Sequence, residues 1–397
     1  MFVPIANTPR DYAWGSTTDI AALLGVAPSG GPEAELWLGA HPGSPARILT
    51  PGAVGGFETL ADWVERDPAS AGLAEPRLPF LLKLLAANAP LSLQAHPSPA
   101  QAADGFAREN AAGVPQNDPT RNYKDAFHKP ELIFALSERF EALCGFRPVA
   151  DAAADVDALL AVPGLSADDR AALGSFRSSL DGPDSEVLRR VVGSLLGEDV
   201  SVLVRAVTDA AASAPLTPAV DTVRMLADHY PGDPGIVVSL LIHRVTLRRG
   251  EVLYLPAGNI HAYLRGFGVE LMAASDNVLR GGLTPKHIDV AELLSVLDFT
   301  PLPVPYLQPE RAADGVELYR PDVPDFELSH VVASGDGSQT VDLPGVAIAI
   351  ATAGDLTLAG ASGTIDLRQG DAVYVTADEG SIAVRGTGEL FVASTRL

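Results

Sequence analysis

Between Val149 and Tyr230 the spacing of apolar residues changes period and then changes back, and this interruption limits the folds open to the chain. From Glu33 to about Pro148, short apolar or alternating runs such as AELWLGAHPGSPARIL, LPFLLKLL, LSLQAHPS and KPELIFAL are broken by Pro, Gly and Asn. Runs of that kind read as β-strands. One segment there, PAQAADGFAREN at 99–110, reads as a short helix. Within 149–230, VADAAADVDALLAV, SADDRAALGSFRSSL, DSEVLRRVVGSLLG and TPAVDTVRMLADHY repeat apolar positions every three to four residues behind Ser, Asp or Thr caps. That block is expected to be all helical. Strands resume at GIVVSLLIHRVTLRRGEVLYLPAGNIHAYL, and after Gly281 a helix is expected over TPKHIDVAELLSVLDF, capped by Thr284 with Pro285 in its first turn. A Pro-rich linker, FTPLPVPYLQPE, leads to short strands with Gly/Asp turns from about Gly315 onward. The expected chain is mainly β with an inserted α domain. One β unit is built from 1–148 and 231–300, the helical insertion is 149–230, and a second β unit is 301–397.

An internal echo relates the two β units. GEVLYLPAG at 250–258 and GDAVYVTADEG at 370–380 each run from a turn glycine and an acidic residue through an alternating strand into another turn. The second copy has no histidine after its turn, so the C-terminal unit is expected to share the architecture without a metal site.

Charge restricts the partners. The 397 residues carry 28 basic and 50 acidic side chains, a formal net charge of −22, which repels nucleic acid and anionic lipid. No apolar run approaches the ~20 residues that span a bilayer. The opening MFVPIANTPRDYAWG lacks the basic and apolar stretches of a secretory signal. A cytoplasmic protein is expected, monomeric or weakly homo-oligomeric, with a small molecule as partner. The single cysteine, Cys144, has no partner for an intrachain disulfide and reads as a small buried residue. Among the basic residues only Lys83, Lys124, Lys129 and Lys286 are lysines. A chain that uses Arg almost throughout keeps lysine where a compact, titratable ammonium serves a purpose.

Four segments carry chemistry. In LSLQAHPS an extended chain turns Ser92, Gln94 and His96 to one face, with Leu91, Leu93 and Ala95 on the other. In HKPELIFAL, Glu131 heads a strand, with His128 and Lys129 in the turn before Pro130. In GEVLYLPAGNIHAY a strand enters a Pro-Ala-Gly turn and His261 follows, with the spacing G-x5-P-x-G-x2-H of the second metal-binding signature of cupin barrels. Gln94-Ala95-His96 stands where the first signature usually has His-x-His. Two imidazoles (His96, His261) and the Glu131 carboxylate suit one Zn²⁺ per chain, with the Gln94 amide oxygen as a weaker ligand. The fourth segment, DNVLRGGLTPKHID, holds Asp276, Arg280, the Gly281–Gly282 pair and Lys286, and the glycines allow the backbone to approach a ligand.

Taken in order, AWG near the start, AELWLGAHP, LSLQAHPS, HKPELIFAL, FEALCGFRP, LPAGNIHAY and DNVLRGGLTPKHID resemble the type I mannose-6-phosphate isomerases, the zinc-dependent phosphomannose isomerases. The motifs cover about Thr8 to Thr300, and the C-terminal part agrees in general layout. The resemblance implies a catalytic cupin (jelly-roll β-barrel) domain, a helical insertion and a second, cupin-like C-terminal domain. It implies zinc held by Gln94, His96, Glu131 and His261, and interconversion of mannose 6-phosphate and fructose 6-phosphate. Arg280 falls on the arginine treated as catalytic in that family. Departures lie in the Ala- and Asp-rich insertion and in the loop AAGVPQNDPTRNYKD, away from the ligand set.

Aldose–ketose isomerisation opens the sugar ring, removes the proton on carbon 2, passes through a cis-enediol(ate) and reprotonates carbon 1. The enediolate charge calls for a metal, an arginine or both. Arg280 stays protonated and suits a clamp. The proton carrier is expected to be Lys129, with Lys286 second, since a metal ion and Arg280 nearby disfavour an ammonium. His128 and Asp276 are candidates for ring opening, and Lys83 and Ser92 for holding the phosphate. Trp14 and Trp37 suit either stacking on sugar or core packing. His229, His243 and His330 fall outside these groups. Two other functions fit less well. A non-catalytic, regulatory sugar-phosphate-binding bicupin leaves Arg280 and the four lysines without a purpose. A cupin oxygenase leaves Gln94 and Lys129 without one.

Overall fold

The structure is a computed structural model that describes residues 1–335 and 337–396. Among the described residues the strands form two antiparallel sheets, one of nine strands and one of ten. The nine-stranded sheet is organised around His261–Ala273, a 13-residue strand that changes partners midway. Its second half lies between Phe80–Ala87 and Glu131–Ala135. Its first half pairs with Phe140–Phe146 and, at His261, with Gln94. The register slips between Tyr263 and Arg265. Gly266 follows at φ +139, where a Cβ would lie 2.6 Å from the Phe140 ring. A bulge and a glycine together bend the strand so that it serves both halves of the sheet.

Five helices, Val149–Leu160, Ala167–Ser179, Asp184–Gly197, Ser201–Ser213 and Pro218–His229, form the insertion. Ser166 and Thr217 cap their helices by accepting the Asp169 and Val220 N–H groups, at 3.0 and 3.2 Å. The apolar stripes of these helices share one core with Leu93, Ala95, Leu143 and Leu279 from the sheet. This is why Leu93 and Ala95 alternate with polar neighbours: the helices cover one side of that segment and leave Gln94 for the other. Pro99–Ala111 is also helical, closed by a capping box between Ser98 and Gln101. Among the described residues no helix is long and apolar enough to cross a membrane.

The structure departs from the sequence expectation in three places. GIVVSLL, expected to resume the strands, is helical over Gly235–Val238 and Ser239–Leu241, where Ile236, Val237, Leu240 and Leu241 pack into the core of the inserted helices, and the strand begins only at Ile242. The N-terminal strand Phe2–Ala6, assigned with 1–148 to the first β unit, pairs instead with Ala372–Val375 in the ten-stranded sheet, with Phe2 opposite Val375. Arg47–Ile48 follows it there. Val3 and Ile5 thereby point into the core between the two sheets, beside Leu84, Tyr374 and Phe391. The helix expected from Thr284 begins six residues later. Asp289 caps Val290–Val296 by accepting the Glu292 N–H at 3.0 Å. At 283–284 the chain instead turns sharply, with Leu283 at φ +56 and both N–H groups held by the Asp233 carboxylate.

Candidate metal centre and adjoining cavity

Gln94, His96, Glu131 and His261 come from distant parts of the chain. Pairing of His261 with Gln94 puts those two side by side. The Gly258 N–H donates to the His96 carbonyl at 2.9 Å and so ties the His96 segment to the turn before His261. Glu131 enters because its strand runs between Val252–Leu255 and His261–Ala273, opposite Leu255 and Met272. One donor atom from each of His96, Glu131 and His261 falls within 4.8 Å of the others, and all three residues are buried.

The hydrogen bonds behind the imidazoles fix which nitrogen faces inward. His96 Nδ1 lies 2.7 Å from the Asn277 carbonyl, and His261 Nδ1 lies 3.0 Å from the Asn259 carbonyl. A carbonyl only accepts, so each Nδ1 carries the proton and each Nε2 turns a lone pair inward. Those Nε2 atoms stand 3.4 and 3.3 Å from the two Glu131 oxygens. Neither His96 Nε2 nor Glu131 Oε2 has a hydrogen-bond partner. Burial pushes the His96 imidazole down to about 4, so it is neutral at physiological pH. Burial alone would raise the Glu131 carboxyl, but the Lys129 ammonium, at 3.0 Å, holds it well below its ordinary value. Lone pairs facing lone pairs in a dry pocket repel one another, and a divalent cation between them removes that cost. The Gln94 amide lies 3.2 Å from His261 Nε2. A half-turn of its last torsion brings its oxygen inward as a fourth donor. The set fits a four-coordinate N/O metal site.

Glu131 and Gln94 also border a cavity of about 510 Å³, together with Lys129, Asp276, Arg280 and Lys83. The cations there are of two kinds. Lys83 is buried in the middle of its strand, 2.9 Å from Glu270 and 3.5 Å from Glu35. Burial opposes its charge, yet those two carboxylates overcome it and hold the ammonium firmly protonated. Arg280 has its guanidinium shifted down by burial; Lys286, which is not on the cavity wall, is lowered by burial and by Arg280. Among the described residues neither has a carboxylate within ion-pair distance. Lys124 borders the cavity too, its ammonium donating to the Gln116 and Asp118 carbonyls at 3.1 and 3.2 Å.

Other candidates lie elsewhere. His128 turns away from the cavity and pairs with Asp325 at 2.7 Å. Ser92 and Trp14 are not on its wall. Trp14 stacks on Tyr12 with ring centroids 5.7 Å apart, and it is Tyr12 and Trp37 that border the space. The Cys144 thiol is pushed up to about 12 by burial and donates to Asn259, which makes it unreactive. Sequence reasoning passed over Glu35, Glu270, Tyr263 and Asn277. The first two had a signal, because a lysine inside LLKLL can be buried only against carboxylates. Asn277, fully buried, accepts the Lys124 N–H at 2.7 Å and donates to the Asp125 and Phe127 carbonyls, so it fastens the His96 ligand to the 124–127 loop.

A β-sheet framework with a helical insertion, a buried His–Glu–His donor set and an open charged cavity beside it places the chain in the class of metal-binding β-proteins with a ligand cavity at the metal. Residues 2–149 match the family model "Phosphomannose isomerase type I, catalytic domain". The chain is 39% identical to the mannose-6-phosphate isomerase of Escherichia coli (strain K12), over 97% of either chain. It is 31% identical to that of Rattus norvegicus, over 95% of this chain and 93% of the rat protein. It superposes on the apo form of mannose 6-phosphate isomerase from Salmonella typhimurium with a TM-score of 0.86 at 34% identity, covering 100% and 99% of the chains. A zinc-bound holo mannose 6-phosphate isomerase matches with a TM-score of 0.87 at 34% identity, covering 100% of each. The chain belongs to the type I phosphomannose isomerase family.

Proposed function

We propose that the chain is a zinc-dependent isomerase that interconverts mannose 6-phosphate and fructose 6-phosphate. The observation that carries this reading is the buried donor set of His96, Glu131 and His261, with His96 Nε2 and Glu131 Oε2 left without hydrogen-bond partners, beside a cavity bordered by Arg280 and Lys129, in a chain of this family. Gln94, His96, Glu131 and His261 would hold one zinc ion. The metal supplies a Lewis acid that stabilises oxyanion charge at the sugar's carbonyl end. The double-sheet architecture around it is read as a cupin barrel, with 149–230 as a helical insertion domain and the C-terminal strands as a second, cupin-like unit.

The chain's own groups divide the remaining work. Phosphate falls to Arg280 and Lys286, whose mutual repulsion a dianion relieves, with Lys124 beside them. This moves the phosphate away from Lys83 and Ser92, because the Lys83 charge is already spent on Glu35 and Glu270. Lys129, on the cavity wall, carries the proton between carbon 2 and carbon 1, with Lys286 as second candidate. Arg280 clamps developing negative charge. Ring opening rests on Asp276, since His128 is committed to Asp325. A coupled assay that follows fructose 6-phosphate from mannose 6-phosphate, with and without a chelator, tests the reading. Turnover that a chelator abolishes and zinc restores is expected. Zinc and sugar-phosphate binding without turnover would replace it with a non-catalytic binding protein.

A further inference from the structure

His41 belongs to no part of the reading above, yet it touches the one carboxylate there that is still free. Four acidic side chains border the 510 Å³ cavity: Glu35, Glu131, Glu270 and Asp276. Glu35 accepts from Trp37 Nε1 at 3.0 Å and faces Lys83, and Glu270 pairs with Lys83. Glu131 is enclosed by Lys129 and the two histidines. Asp276 uses only Oδ2, which lies 3.1 Å from His41 Nε2, and its side chain remains about half exposed (52%).

The imidazole cannot choose its tautomer freely. The Gly43 N–H donates to His41 Nδ1 at 3.0 Å, so Nδ1 holds the lone pair and the proton sits on Nε2, the nitrogen that lies 3.1 Å from Asp276 Oδ2. Residue 43 must come this close: a Cβ there would stand 3.2 Å from His41 Nδ1 and 3.3 Å from Cε1. Trp37 closes the ring from another side, edge-on, with centroids 4.7 Å apart. Asp276 is anchored a second time through its backbone N–H, which donates to Asp125 Oδ2 at 2.9 Å. With backbone and Oδ2 both fixed, Oδ1 is left facing open space. His41 does this from outside the sugar's cavity, because it borders a neighbouring space of about 590 Å³ that meets the first at Asp276, Gln116 and Lys124.

We propose that His41 is a positioning residue for ring opening, which holds the Asp276 carboxylate so that Oδ1 meets the anomeric hydroxyl of the sugar phosphate. The proposal rests on the isomerase reading. In the step itself the O1–H bond breaks and its proton goes to Asp276 Oδ1. The O1 electrons form the C1=O1 double bond as the C1–O5 bond breaks, and its electron pair leaves on O5. A solvent water protonates O5, and the resulting hydroxide takes the proton back from Asp276. Nothing is gained or lost overall, and the lysine that later moves the carbon-bound proton is untouched.

The test uses the zinc-loaded, full-length enzyme. His41→Leu is expected to lower kcat about 10–100-fold, the scale of a misplaced catalytic group. Zinc content, melting temperature and the inhibition constant of a phosphorylated aldonate, which has no ring to open, should stay within about two-fold. His41→Gln returns an N–H near Nε2 and should recover most of the loss. Adding His41→Leu to Asp276→Asn should cost little more than Asp276→Asn alone. An equal loss of turnover and aldonate affinity, no rescue by Gln, or additive losses would each overturn the proposal. A second measurement needs no turnover. The ¹⁵N spectrum of the zinc-loaded protein should show His41 as the Nε2–H tautomer, with its signals shifting in Asp276→Asn. An Nδ1–H tautomer sinks the pairing itself, whereas an intact pairing in a protein without isomerase activity sinks only the functional reading.

Discussion

At the residue scale the metal centre makes a direct prediction. His261 supplies one of two neutral nitrogen donors whose backing carbonyls fix their lone pairs inward. His261→Ala should lower zinc below one per chain on dialysis against buffered zinc, read by metal analysis, and cut turnover in parallel. One zinc per chain at unchanged affinity would disprove the ligand set. Lys129 is separable from it. Lys129→Arg keeps a cation near Glu131 and the sugar phosphate but replaces an amine with a guanidinium that stays protonated. If Lys129 moves the proton, kcat should fall about 10²–10⁴-fold with KM within a few-fold. Solvent tritium exchange into substrate should fall in step, and exchange at the wild-type rate would move the assignment to Lys286. The cluster of His96, Glu131 and His261 was legible because each sits in a short local pattern: an alternating segment, a strand head after Pro130, and a turn with fixed glycine and proline spacing. Lys83 signalled that carboxylates must face it but not that Glu270 is one, which only the register of the sheet decides, and His41 had no signal, since it matters through a contact with a residue more than 200 positions away.

Elements position the site through their turns. Gly258, at φ +78, ends the turn between Val252–Leu255 and His261–Ala273, and a Cβ there would lie 3.1 Å from the Val296 carbonyl and 3.2 Å from the Asp298 N. The same residue donates to the His96 carbonyl and accepts from the Asp298 N–H. Gly258→Ala therefore meets both backbone strain and a crowded neighbourhood, while Gly250→Ala, at φ +89 with nothing within 4 Å, meets strain alone. Each should cost about 1 kcal/mol or more of unfolding free energy in urea titrations. Only Gly258→Ala should also weaken zinc binding, because only that turn holds a ligand segment. Equal zinc affinity in the two variants would argue against a link from turn to ligand. The strand–turn pattern was readable here because Gly and Pro mark it. The misplaced start of the helix at 290–296 shows the limit: Thr284-Pro285 is a sound cap locally, and Thr284 Oγ1 does accept the Lys286 N–H, but the chain at 283–284 is fastened to the Asp233 carboxylate, some 50 residues earlier, and turns there without starting a helix.

Across the whole molecule the C-terminal sheet supports the strand that carries Glu131. Phe134, on that strand, packs against Phe391 at 4.7 Å, Tyr319 at 5.8 Å and His330 at 4.7 Å between centroids. The pairing of Phe2–Ala6 with Ala372–Val375 joins the two ends of the chain in one sheet, a contact that no local pattern announces. Where Arg249 meets the C-terminal sheet, one of its terminal nitrogens, Nη2, donates to both Glu389 oxygens, at 2.8 and 3.0 Å, with His330 Nε2 at 2.9 Å and Thr352 Oγ1 at 2.7 Å. Burial would raise its carboxyl, but the His330 and Thr352 hydrogen bonds and the Arg249 charge bring it from 4.5 down to about 2. A carboxyl depressed on folding adds stability above its unfolded value and loses that contribution as pH falls through its folded one. The contribution is thus present at pH 7 and fades between pH 4.5 and about 2. Glu389→Gln keeps the shape and removes the charge, so it should destabilise the protein by on the order of 2–3 kcal/mol at neutral pH. Urea unfolding of the zinc-free protein, which keeps metal release out of the comparison, should show the gap between wild type and variant narrowing steadily from pH 5 toward pH 3. A gap that stays constant over that range would mean that packing, and not the Glu389 charge, joins the C-terminal sheet to the metal-bearing one.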